Sequence, residues 1–333
     1  MILSGTESRV TVMCFAALAA TKLKELEREL GALVDAEEFA RIYWERVGNP
    51  QAFKLPVAID REFLEPRNAE ETKITAAIAE YRRIKTVEWE TEIFEQRKRH
   101  ADAERKLAKK VTKAAQNDLR VSANKVQQRL AWLNSFRSST SSEEHSVVYA
   151  MNYAPVIVQT DAGRRITPMR YHCRLPGHAA DMDKKLAGNY NARLDSLQHW
   201  WRPILGRHHA LLVLTGFREN VQRHDMERRQ LAPGEQASNV VLQFNPKDAT
   251  LMFVPCVWSH WRQGEEVLNS MALITDDPPE EVRQAGHNRC PINLTREAAE
   301  AWLSPRGRSD AELFDILAQR YRPFYEHRIA DAA

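Results

Sequence analysis

Between Asn68 and Arg137 the chain contains neither proline nor glycine. A run of that length without a backbone breaker is a helical run. Its apolar residues repeat at helical spacing: Ile74, Ile78 and Tyr81, then Ala115, Leu119, Ser122, Val126, Leu130 and Leu133. The spacing predicts one or two long helices with a narrow apolar seam, folded as a helical hairpin. Ser138-Ser139-Thr140-Ser141-Ser142 ends it as a loop.

The flanks read differently. Before the run, Ala20 to Leu33 and Ala36 to Val47 have helical patterns, with Asp35 as an N-cap and Gly48 and Pro50 closing the second. After about Ser146, short β-rich runs alternate with turns: Val147–Tyr149, Val156–Gln159, Ala210–Leu214, Val240–Phe244, Thr250–Val254 and Met271–Thr275. Asn245 to Asp248 suits a hairpin turn. Helices are predicted over Arg296 to Leu303 and Asp310 to about Tyr325. The expected fold class is α+β, a mostly antiparallel sheet with a long helical insertion near the start. Residues 1–12 read as a leader or an upstream start, 13–66 as the first part of the main domain, 67–145 as the insert and linker, and 146–325 as the rest of the main domain.

Composition narrows the functional classes. The 333 residues are 43% hydrophobic and 28% charged, enough for a sizeable core. No apolar run approaches the roughly 20 residues that span a membrane, so no membrane partner is expected. Val10 to Ala20 is short and lacks a basic lead, so it reads as structure and not as a signal peptide. Cys14, Cys173, Cys256 and Cys290 form neither CxxC nor zinc spacing. A reduced, cytoplasmic protein without metal or cofactor is expected. Net charge is +3, yet Arg97 to Arg137 carries twelve basic against three acidic side chains. That excess suits a polyanionic partner and equally suits a solvated helix face.

Four short segments occur in a telling order: Met13-Cys14, Asn191-Ala192-Arg193, Gly216-Phe217-Arg218-Glu219-Asn220 and His287-Asn288-Arg289-Cys290-Pro291. They resemble the Met-Cys start, N-A-R, G-F-Y-E-W and H-D-R-M-P motifs of the SRAP family, the SOS-response-associated peptidases. Asn152-Tyr153-Ala154-Pro155, Trp258-Ser259-His260-Trp261 and Ala301-Trp302-Leu303 resemble the family's N-x-A-P, W-E-x-W and W-L elements. The resemblance covers Met13 to Ala20 and about Tyr149 to Pro305. It implies a barrel-like sheet domain that attaches covalently to abasic sites in single-stranded DNA through a cysteine left at the terminus when Met is removed, here Cys14. Lyase and autopeptidase activities are implied beside the crosslink.

The chemistry suits those residue types. A terminal cysteine carries an amine titrating near pH 8 and a thiol near 8.5. The amine forms a Schiff base with the open-chain aldehyde of an abasic sugar, and the thiol closes a thiazolidine. By resemblance, Glu219 acts on the imine and ring-opening steps, His287 assists at the sugar oxygen, and Asn191 orients the cysteine. Arg193, Arg170, Tyr171 and Arg289 are the candidate DNA contacts, a guanidinium fork matching phosphate oxygens.

Each residue alone has a plainer reading. Cys14 sits among apolar neighbours as a core cysteine would, Glu219 and His287 suit turns or loops, and His208 and His209 read as structural. Of Trp200, Trp201, Trp258 and Trp261, most are expected in the core. The chain also departs from the family pattern. Tyr149-Ala150-Met151 stands where P-R-Y is usual, Met169 to Cys173 where M-x-W-G-L is usual, Asn220 for tryptophan, Asn288 for aspartate and Asp195 for glutamate. Twelve residues precede Met13, so the aminothiol chemistry implies translation from Met13 or removal of a leader. Two other classes stay open: a non-catalytic DNA-binding or assembly protein acting through the basic insert, with an unknown protein partner, and a peptidase using the same cysteine.

Overall fold

The computed structural model describes residues 16–138 and 142–330. They form two compact units, one of residues 36–146 and one that joins the segment before residue 36 to the chain after 146. Cys14 and most of the expected serine-rich loop lie outside the described residues.

The second of these units is built on a 12-stranded sheet. Its strands are β1 (Ala16–Ala19), β2 (Ala32–Val34), β3 (Val147–Tyr149), β4 (Tyr153–Thr160), β5 (Gly163–Tyr171), β6 (Asn191–Arg193), β7 (His209–Gln222), β8 (Asn239–Pro246), β9 (Met252–Gln263), β10 (Glu266–Asp276), β11 (Cys290–Pro291) and β12 (Tyr325–Ile329). The pairing returns on itself. β4 pairs with β5, β5 with β10, β10 with β9, β9 with β7, and β7 with β4 again. The sheet therefore closes into a barrel whose five-strand circuit is antiparallel except at the parallel β5–β10 seam; β2 and β6 add parallel pairings to β5 and β10 outside that circuit. Its interior is apolar: Val156, Met169, Leu212, Phe217, Val254, Met271 and Leu273 are all buried there. Each such side chain contributes roughly 1.5–3 kcal/mol on burial.

The α+β class and the barrel-like sheet are as expected, and several elements differ in extent. The first predicted helix runs only from Leu23 to Leu30, because Gly31 caps it in the left-handed region at φ 59°. The chain then forms β2, parallel to Arg164–Ile166 of β5. Strand β5 escaped the pattern because it opens with Gly163 and two arginines and contains Pro168. Pro168 faces Pro155 across the ladder, a non-hydrogen-bonded pair in which neither needs an N–H. The last predicted helix starts with a Ser309–Glu312 capping box and stops at Ala318. Pro323 cannot continue a helix, and Tyr325–Ile329 pairs with β8 instead.

The other unit is helical and begins at residue 36 rather than 67. The helices Ala36–Gly48 and Val57–Glu62 supply its core: the Phe63 ring packs 5.2 Å from Phe39 and 5.8 Å from Tyr43. Buried Asp60 accepts from Tyr43 Oη at 2.9 Å and Arg46 Nη1 at 2.7 Å. The breaker-free run is two helices, Ala69–Lys109 and Lys113–Arg137. Asn68 and Thr112 cap their N-termini, accepting from the Glu71 and Ala115 amides. The helices are antiparallel: Glu92 meets Arg129, Arg99 meets Asp118, and Trp89 stacks on Phe136 at 5.1 Å. No helix among the described residues is long and apolar enough to cross a membrane.

Candidate functional site

Strand β7 changes partners halfway along, and the change makes the site. His209 to Leu214 pair with β9, and Phe217 to Gln222 pair with β8. On the other edge, β1 pairs with Arg218, Phe217, Gly216 and then Leu214, skipping Thr215. Such irregularities bend a strand and re-aim its side chains. Gly216 sits at the bend, where a Cβ would lie 2.4 Å from the Phe244 carbonyl oxygen and 2.6 Å from Asn245 Nδ2. Only glycine permits that approach.

Past the bend, β7 carries two buried polar residues, one on each face of the strand. Arg218 is 1% exposed, and its guanidinium donates twice to Gln243 Oε1, at 3.1 and 2.9 Å. Glu219 follows, fully buried, on the opposite face of the strand. His287 reaches it from the loop between the helix Glu280–Gln284 and β11. Its Nε2 lies 3.1 Å from Glu219 Oε2, and both side chains are closed off from solvent. The His287 Nδ1 lies 3.0 Å from the Arg289 carbonyl oxygen and 3.3 Å from the Arg289 amide nitrogen.

The C-terminal end of β10 organises the neighbourhood. On one side it pairs with β6, placing Asn191 opposite Leu273 and Arg193 opposite Thr275. On the other side β11 takes over where β9 leaves, with Cys290 opposite Asp276. Asn191 is buried and its Oδ1 accepts from Tyr171 Oη at 3.2 Å.

Glu219 and His287 are thus in direct contact, while Asn191, on β6, meets Tyr171 of β5. The four candidate DNA contacts divide. Arg193 is exposed, its guanidinium chelated by Asp195. Arg289 is nearly buried. Arg170 is buried and ion-paired with Asp183 at 2.8 Å. Tyr171 is wholly buried, its ring edge-on to Tyr190 at 5.5 Å. Their place is inside, Tyr171 holding the Asn191 amide. Motif reading passed over Arg218 and Gln243; two residues that meet only across a β7–β8 ladder give no linear signal.

Sulfur chemistry at the described cysteines is suppressed. Burial pushes the Cys173 thiol up to about 12 and raises Cys256 strongly. Cys290 is raised by burial and then by the negative charge of Glu219. All three stay protonated at neutral pH and are poor nucleophiles. His209, the metal-like neighbour of His208, is a core group: it stacks on Trp302 at 3.7 Å, and burial lowers its pKa to about 3. Trp201 and Trp261 are core, and Trp200 is 41% exposed.

Residues 106–331 match the family model described as SOS response associated peptidase (SRAP). Among solved structures the chain is similar to a protein from Bacteroides thetaiotaomicron, at 18% identity and a TM-score of 0.44, covering 55% of this chain and 77% of that one. A protein from Bordetella bronchiseptica is 13% identical with a TM-score of 0.44, covering 59% of this chain and 90% of that one. A phage-related protein from the same organism is 15% identical with a TM-score of 0.43, covering 60% and 87%. No curated protein matches.

Proposed function

This chain belongs to the SRAP family, and from that premise we propose that it captures abasic sites in single-stranded DNA by forming a thiazolidine with a terminal Cys14. The family supports a DNA-damage-associated role; the covalent chemistry is our reading. The observation that carries it is the buried contact between Glu219 and His287. Two titratable groups in contact, away from water, suit the proton transfers that imine formation requires.

The steps balance. The Cys14 amine adds to the C1′ aldehyde of the opened sugar, and water leaves to give an imine. The thiolate then adds to the imine carbon while the nitrogen takes a proton. Glu219 and His287 pass protons to and from the sugar oxygen and the departing water. Ala16, the first residue of β1, is paired with Arg218, next to Glu219 in sequence, and this neighbourhood supports the reading. With the three described thiols silenced by burial, Cys14 is left as the candidate nucleophile. Arg193, after exchanging Asp195 for a phosphate, and Arg289 would flank the sugar.

The test combines an intact mass of the mature amino terminus with an adduct assay. Protein beginning at Cys14 should give a heat-stable adduct with a single-stranded oligonucleotide bearing one abasic site. Cys14→Ser should give only a borohydride-trapped imine. No adduct from protein with a free Cys14 overturns the proposal. Peptide cleavage without DNA would favour the peptidase reading.

A second reading draws on the helical unit, whose hairpin tip displays exposed Lys106, Lys109, Lys110 and Lys113. There the insert binds nucleic acid and the barrel chemistry is secondary. Reversing Lys109, Lys110 and Lys113 to Glu abolishes DNA binding under that reading and leaves adduct formation intact under the first.

A further inference from the structure

Beside the Glu219–His287 pair the surface opens into a cleft of about 520 Å³. His287 and Asn288 belong to its wall on one side, and the segment from His224 to Gln230 forms the other. The two approach closely because residue 286 is glycine. It adopts φ +95°, and a Cβ there would lie 3.0 Å from Asp225 Cβ and 3.3 Å from the Met226 nitrogen. The chain then turns through Arg228, a non-glycine residue in the left-handed region at φ 53°. Side chains rarely accept that conformation, which marks a position held by its surroundings.

The cleft is lined by three guanidiniums and is not lined equally. Arg229 is committed to Glu227 and Glu235, both at 2.6 Å. Arg283 is exposed and shares Glu280 at 3.0 Å. Arg228 Nη2 donates to the neutral amide oxygen of Gln284 at 2.7 Å, which orients the fork without cancelling its charge. The carboxylate in the lining is Asp225, 3.5 Å from His224 Nε2. The result is a positive wall whose base is the buried histidine of the candidate reaction centre.

We infer that this cleft is a phosphate subsite, in which Arg228 and Arg283 take backbone phosphodiesters of single-stranded DNA beside His287. The inference rests on the reading of the chain as a protein acting on DNA and adds where the strand runs. A planar guanidinium oriented by a neutral partner offers its remaining N–H groups to two phosphate oxygens. A strand held by two such contacts presents its sugar edge to the histidine.

Fluorescence anisotropy with an undamaged single-stranded oligonucleotide tests this, because no adduct forms. Arg228→Glu with Arg283→Glu should weaken binding at least tenfold at low salt. It should also flatten the plot of log affinity against log salt by about 1.4, at about 0.7 per phosphate. The charge-retaining Arg228→Lys, Arg283→Lys protein should keep most of the affinity, and equal urea midpoints show that the variants fold. Unchanged affinity and slope in the Glu variant, or no binding by the wild type, overturns the inference. Saturable binding of inorganic phosphate, lost in the Glu variant while oligonucleotide affinity is unchanged, assigns the cleft to a free anion and overturns it too. Failed crosslinking with cleft-dependent binding retained removes the proposed function alone.

Discussion

His287 offers Nε2 to the buried carboxylate of Glu219 while its Nδ1 faces both the amide and the carbonyl of Arg289. A nitrogen against a carboxylate is the protonated one. When the ring is neutral, Nδ1 accepts from the Arg289 amide; when charged, it donates to the Arg289 carbonyl. One residue thus satisfies the imidazole in either protonation state. That arrangement leaves Nδ1 with a partner whichever tautomer the ring adopts; a stranded polar atom there would cost about 1–3 kcal/mol.

Glu219→Gln keeps a polar group of the same shape against the ring and removes the basic oxygen. Adduct formation with abasic single-stranded DNA should slow by roughly 10²-fold or more, the typical size of a general-base contribution. Affinity for undamaged DNA should stay within about twofold. A single-turnover gel assay beside anisotropy separates the two quantities.

Gly216→Ala places a methyl group 2.4 Å from the Phe244 carbonyl. The obstruction is backbone, so β7 and β8 must part or the strand must unbend. A loss of about 2–4 kcal/mol is expected from a clash of this kind at a close-packed position. Urea unfolding checks the stability, and slower adduct formation in the folded fraction reports displacement of Glu219.

Asp60→Ala removes the acceptor shared by Tyr43 and Arg46 and strands a guanidinium that is 3% exposed. Breaking a buried pair on one side costs about 3–5 kcal/mol. Tyr43→Phe, which removes one hydrogen bond, should cost about 1 kcal/mol. Circular dichroism during urea unfolding should show both losses in the helical signal.

The His209 imidazole accepts from the Gly206 amide and is lowered to about 3 by burial. Its unfolded value is near 6.5. Below 6.5 the unfolded chain binds a proton that the native chain refuses, so stability rises with pH in that window. The contribution is complete above pH 6.5 and is lost as pH falls toward 3, by up to about 1.4 kcal/mol per pH unit. His209→Gln, which keeps a donor and an acceptor, should remove that slope; unfolding midpoints at pH 4, 5, 6 and 7 for both proteins measure it.

The long helices were legible because their seam obeys one period over many turns, as Ile74, Ile78, Leu130 and Leu133 show. The break at Lys110–Thr112 was not, because an N-cap threonine between lysines carries no breaker. Short barrel strands such as Val240–Phe244 announced themselves by β-branched and aromatic content. Strand β7 did so only in its first half, since Arg218, Glu219 and Asn220 read as surface and are drawn inside by the site they build. Glu219 and His287 were legible as motif members, and their contact supports pairing them. Arg170 and Tyr171 came from the same kind of match, yet the fold turns them inward. A motif states which residue types recur, and only packing against Asp183 and Asn191 decides which way they point. The subdivision at residue 36 was hidden because Phe39, Tyr43 and Arg46 find Asp60 and Phe63 across a loop.

The opening strand of the barrel, β1, lies between β3 and β7, with Ala17 facing Phe217 about 200 residues later. During synthesis at roughly 5–20 residues per second, the amino-terminal segment therefore waits on the order of tens of seconds for its neighbour to emerge. Glu219 and His287, to which the proposed function gives the proton transfers, emerge later still, so under that proposal the order of assembly keeps the chemistry silent in a nascent polypeptide.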